Sequence, residues 1–167
     1  FYGLQVDSGA HDNLIGTDKI TVTYNTVGNV LIQGATTATN TLKSLLALSS
    51  SGFGLALRNG TFNNTIGELG SAATNAFSGN QGQGIEISGG AHDNRVRNAW
   101  SVENGHNGIR LTGTGTTDNV ISATVLWSNT YDGLSEGNGA TGNAWAVSSA
   151  WGNGGLSVDK YADSETS

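Results

Sequence analysis

The stretch Gly84-Ile85-Glu86-Ile87-Ser88-Gly89-Gly90-Ala91-His92-Asp93-Asn94-Arg95-Val96 decides the fold. It joins an apolar–x–apolar segment, Ile85-Glu86-Ile87, to an Asn–x–apolar one, Asn94-Arg95-Val96, through a glycine turn. Alternating apolar and polar residues mark strands, one side chain turned in and the next out. The same turn stands word for word at Gly9-Ala10-His11-Asp12-Asn13. The stretch is therefore one unit of a repeat, and a repeat governs how the rest is read.

Outward from it, the first element is a small residue followed by apolar–x–apolar. It recurs as Gly3-Leu4-Gln5-Val6, Asn29-Val30-Leu31-Ile32, Gly54-Leu55-Ala56-Leu57, Gly84-Ile85-Glu86-Ile87 and Gly108-Ile109-Arg110-Leu111. It decays at Gly133-Leu134-Ser135-Glu136 and returns as Gly155-Leu156-Ser157-Val158. The steps are 26, 25, 30, 24, 25 and 22 residues. The second element is Asn–x–apolar after a Gly/Thr turn, at Asn13, Asn40, Asn64, Asn94, Asn119 and Asn143. The third is an apolar residue shortly before an Asn/Gly turn: Phe77, Val102, Leu126 and Ala150.

Three short strands in each unit of about 25 residues fit one coil of a parallel β-solenoid. Helices are disfavoured, because the apolar spacing is 2 and glycine is dense. Asn-Gly occurs five times and is a hairpin signal. Yet the recurring strand keeps one direction of pattern, which stacked coils satisfy directly. Gly and Asn tolerate the left-handed backbone of sharp corners. Stacked Asn side chains can also bond along the axis as ladders.

Composition agrees. The 167 residues include 26 glycines and no proline, cysteine or methionine; 36% are hydrophobic and 12% charged, with a net charge of −6. A narrow interior needs few apolar residues, and strands that are nearly all central exclude proline. Zero cysteine removes disulfides and thiolate metal sites. Seven scattered basic residues argue against nucleic acid. No apolar run is longer than the four residues of Leu45–Leu48, too short for membrane insertion. No leader precedes Phe1, and the chain lacks a starting Met, which suggests processing or excision.

The motif resembles the right-handed parallel β-helix repeat of the pectate-lyase-like superfamily, over essentially the whole chain. At Ile87–Asn94 it is similar to tandem repeats of large secreted bacterial surface proteins. The resemblance implies an all-β, single-stranded right-handed parallel β-helix of six to seven coils over 1–158, then a polar tail or link over 159–167. It implies an extracellular or cell-surface setting. The superfamily includes lyases, hydrolases, epimerases, adhesins and tailspikes, so fold alone does not choose the activity. Its lyases set an outward Arg or Lys beside several acids; Glu86 and Arg110 lack that cluster and are expected to pair as ladder neighbours.

Two readings of function stand. The first is a non-catalytic structural or binding module: an adhesin, spacer or filament subunit. The second is a fragment of a polysaccharide lyase, hydrolase or epimerase. Uncapped terminal coils lead to an expectation of end-to-end self-association. The candidate ligand site is an outward ledge of Trp127 and Trp151 with Tyr131, Asp132 and Glu103, a stacking platform for polysaccharide. Trp100 fits either side, because its coil is one residue shorter there. Asp12, Asp93 and Asp118 share one turn position and are read as turn caps rather than calcium ligands. No metal and no cofactor is expected. Ile85, Ile87, Val96, Ile109, Leu111, Ile121, Leu134, Trp145 and Leu156 are expected to form one core, each worth about 1.5–3 kcal/mol when large and fully buried. Glu68–Asn75 is expected to protrude as a loop.

Overall fold

The computed structural model describes residues 1–70 and 74–162, and within them every named element is a strand. Coil 1 holds β1 (Tyr2–Val6), β2 (Leu14–Ile15) and β3 (Ile20–Thr23). Coil 2 holds β4 (Gly28–Gln33), β5 (Thr41–Leu42) and β6 (Leu45–Leu48); coil 3 holds β7 (Phe53–Arg58), β8 (Thr65–Ile66) and β9 (Asn75–Ser78). Coil 4 holds β10 (Ile85–Ser88) and β11 (Arg95–Val102), and coil 5 holds β12 (Ile109–Thr112) and β13 (Val120–Trp127). Coil 6 holds β14 (Leu134–Gly137), β15 (Ala144–Ala146) and β16 (Ser149–Trp151), and β17 (Val158–Ala162) starts another rung. Every pairing is parallel and joins one coil to the next, giving a solenoid of about six turns.

The first strands of all coils form one seven-stranded sheet, β1-β4-β7-β10-β12-β14-β17. The second and third strands form two further faces. These merge in coils 4 and 5, where β11 and β13 run on through a left-handed bend at Asn98 (φ 47°) and Ala123 (φ 51°). Of the expected loop, residues 71–73 lie outside the described residues; Asn75 is fully buried and already begins β9. Of the expected polar tail, residues up to Ala162 are strand and residues 163–167 lie outside the described ones.

Ile85, Ile87, Val96, Ile109, Leu111, Ile121 and Leu134 are fully buried in one core, and Trp145 packs against it half-buried. Leu156 is the exception, 59% exposed. Leu134 pairs with Val158 instead. Residue 156 is still in the turn, where its N–H donates to Asp132 Oδ1 at 2.7 Å.

Two asparagine ladders run along the corners. In the first, each Nδ2 donates to the Oδ1 of the next coil through Asn13, Asn40, Asn64, Asn94, Asn119 and Asn143, at 2.8 to 3.1 Å. Each Oδ1 also accepts the preceding ladder residue's backbone N–H. Asn143 donates at 2.6 Å to Oε1 of Glu136, which lies buried at the inward position held by Leu111 one coil earlier. The second ladder links Asn80, Asn104, Asn129 and Asn153.

Coil 2 has Ser50 where the second ladder needs Asn, and the repair is visible. Elsewhere a glycine opens the coil against the ladder amide; a Cβ on Gly54 would stand 2.8 Å from Asn80 Nδ2, and one on Gly84 2.6 Å from Asn104 Nδ2. At the matching position coil 2 has Asn29. Its amide reaches over the short Ser50 and donates to Leu48 O (3.0 Å) and Asn80 Oδ1 (3.1 Å). Asn29→Gly removes that bridge, and Ser50→Asn drives a second amide into Asn29. Each single change is expected to cost ~1–3 kcal/mol. The double variant restores the Gly/Asn pairing of the following coils and should recover most of the loss. Denaturant unfolding of the four proteins measures the coupling; simply additive losses would refute the exchange.

Candidate functional site

Outward positions on the third face form two columns along the axis. One column is Thr21, Leu46, Ala76, Trp100, Val125 and Ser149. The other is Thr23, Leu48, Ser78, Val102, Trp127 and Trp151. Strand alternation puts them there, because their neighbours Leu45, Ala47, Phe77, Ala99, Ser101, Thr124 and Leu126 are buried. Trp100 is thus outward, 51% exposed, on the same face as Trp127 (39%) and Trp151 (49%). Neither column contains a charged residue.

Trp127 and Trp151 are register partners one rung apart. Their ring centroids lie 6.2 Å apart with planes at 27°. Trp127 leans along the axis over Gly152, where a Cβ would meet its indole Cδ1 and Nε1 at 3.3 Å. Rungs about 4.8 Å apart set this spacing, and the β-scaffold holds it.

The other three expected site residues sit around the ledge rather than on it. Val102, not Glu103, stands beside Trp127. Glu103 occupies the next corner position in left-handed backbone (φ 56°), equivalent to Ser128 and Gly152. The inward residue of that rung is Ser101, whose hydroxyl donates to Gly108 O at 2.6 Å. Tyr131 lies past the next corner, half-buried, its ring 5.0 Å from His106. Asp132 supports the same corner: its N–H donates to Asn107 Oδ1 at 2.8 Å while its Oδ1 holds the Leu156 N–H.

Several other acids are held in local structure. Glu86 stands opposite Arg110 as expected, but its bidentate partner is Arg58, through Nε at 2.9 Å and a terminal nitrogen at 2.8 Å. Ser88 donates to the same carboxylate. Lys43 pairs with Glu68. His11 and His92 each meet the following aspartate, at 2.8 and 2.9 Å. Asp12, Asp93 and Asp118 all adopt left-handed backbone just before a ladder asparagine. The Thr39 hydroxyl, and then His11, hold the Asp12 carboxyl below its ordinary value. Among the described residues, no three His, Asp or Glu side chains gather as a metal-sized group. No helix among them is long and apolar enough to cross a membrane. No protein-family model, curated protein or solved structure matches the chain.

Proposed function

We propose that this solenoid is a non-catalytic, extracellular structural and binding module that works through the outward face of its third strands. The observation that carries the reading is the pair Trp127 and Trp151, stacked and about half-exposed on consecutive rungs. Half-exposed indoles on a rigid scaffold supply contact area at little conformational cost, and tryptophan dominates binding hot spots. Support comes also from Glu86, Glu136 and Asp132, which hold an ion pair, a ladder amide and a corner instead of converging on a reacting centre. Likeness of the repeat to secreted bacterial surface proteins of the β-helix type supports the setting.

Carbohydrate is the second reading of the same face, favoured by the near-parallel indoles, onto which sugar C–H faces can pack. The test is Trp127→Ala/Trp151→Ala against wild type, in a glycan panel and in concentration-dependent sedimentation. Loss of either interaction by about tenfold or more is expected, with the thermal transition nearly unchanged because both side chains point outward. Substrate turnover by the wild-type chain on any panel polysaccharide would replace the module reading with an enzyme.

A further inference from the structure

Resting on that reading of the face, we infer that its partner is a second copy of the chain. The two copies lie side by side with parallel solenoid axes, related by a two-fold axis along the solenoid direction. The argument is steric and electrostatic. In coils 4, 5 and 6 each rung carries one tryptophan and one smaller residue on this face: Trp100 with Val102, Val125 with Trp127, Ser149 with Trp151. The large residue changes column between coils 4 and 5. A two-fold along the axis lays each column on the other column of the same rung. Trp100 then meets Val102, Trp127 meets Val125 and Trp151 meets Ser149, so bulk faces space on every one of these rungs. Leu46 and Leu48 of coil 2 cover each other.

Charge selects the same arrangement. Arg97 borders the Trp100 column across the bend at Asn98, and Glu103 borders the Val102 column in the next corner. The axial two-fold brings the Arg97 edge of one copy to the Glu103 edge of the other. A two-fold along the strands between coils 4 and 5 keeps each column on itself. It too places Trp100 against Val125 and Trp127 against Val102, but it puts Trp151 on the Ser78 rung and leaves Leu46 and Leu48 beyond the overlap. It also sets Arg97 against the Ser122–Ala123 edge. Three half-exposed indoles offer roughly 350 Å² per copy. With the flanking Leu and Val side chains a pair buries on the order of 1,000 Å² in total, the lower bound for a specific interface. The association is therefore weak and rapidly reversible.

The experiment is sedimentation equilibrium of the full chain over a wide concentration range. Val125→Trp enlarges the apolar surface, yet it sets tryptophan against tryptophan and is expected to weaken association about tenfold. The swap Val125→Trp/Trp127→Val keeps bulk opposite space under the axial two-fold and should restore it. Arg97→Glu should weaken pairing and Arg97→Glu/Glu103→Arg recover it, with circular dichroism confirming the fold of each. Tighter association of Val125→Trp would show a non-specific sticky patch and overturn the inference. So would a wild type that stays monomeric throughout. If that monomer binds glycan and Trp127→Ala/Trp151→Ala does not, the face remains the binding surface and only the partner is wrong. If the double variant changes neither association nor glycan binding, the face itself is wrong.

Discussion

Replacing Asn94 by aspartate is expected to destabilise the fold by about 3–5 kcal/mol at neutral pH, the cost of an uncompensated buried charge. Asn94 is fully buried. Its Oδ1 accepts the backbone N–H and the Nδ2 of Asn64, both at 3.0 Å. Its Nδ2 faces three oxygens: Asn119 Oδ1, Thr61 O and His92 O. A carboxylate keeps the accepting edge and turns its other oxygen, without a proton, toward all three. Burial and those acceptors raise its folded pKa above the ordinary ~3.9. The unfolded chain then loses the proton first. The penalty is least below pH ~4 and grows as pH rises through the folded pKa. Urea unfolding across that range, variant against wild type, measures it. Asn63→Asp is the control, because Asn63 is exposed in the left-handed position that Asp12, Asp93 and Asp118 fill in other coils. A difference under 1 kcal/mol, or one independent of pH, would show that the ladder is not needed.

Where the repeat is strict, sequence and structure agree residue for residue, since period-2 alternation has only two phases and burial picks one. The ladder asparagines and the first-strand core are legible for that reason. Two places are not, and both are slips of phase. In coil 4 Val102 looks like the inward residue, because it is apolar and Ser101 is polar. The structure buries Ser101, which can lie inside because its hydroxyl reaches Gly108 O. Spacing from the ladder would have shown it: Phe77, Ser101, Leu126 and Ala150 each stand three residues before their asparagine. In the last rung Gly155-Leu156-Ser157-Val158 matches the motif two residues early, because Asp132 holds Leu156 N–H in the turn.

The same slip moves the candidate site: aligned on Val102 as the inward residue, the sequence puts the charged Glu103 in the Trp127 column. With Val102 there and Trp100 outward, two uncharged columns emerge. Placing Trp100 depends on the left-handed bend at Asn98, which resets the alternation within one continuous strand. Asparagine tolerates that backbone, but nothing local says that it adopts it. Tyr131 and Asp132 lie close to Trp127 in sequence, but a solenoid corner turns neighbours in sequence onto different faces.

Phe77→Ala is expected to cost ~5 kcal/mol, the upper end for truncating a buried phenylalanine. Phe77 is fully buried, and its inward column reads Val22, Ala47, Phe77, Ser101, Leu126 and Ala150 from coil 1 to coil 6. Phe77 is the largest side chain of that column, and small residues, Ala47 and Ser101, stand on either side of it. Truncation leaves three small side chains in succession. Parallel strands bonded on both edges cannot close in on the space, so little of the cavity can collapse. Large and small residues are thus matched along the axis, and the match can be tested by moving it. Ala47→Leu alone should overpack against the ring and cost ~1–3 kcal/mol. In the Phe77→Ala background the same change should instead regain stability by filling the void. Thermal or urea unfolding of the four proteins gives the sign. A loss from Ala47→Leu in both backgrounds would mean that the rungs pack independently, and that the spacing of large residues along the column carries no stability.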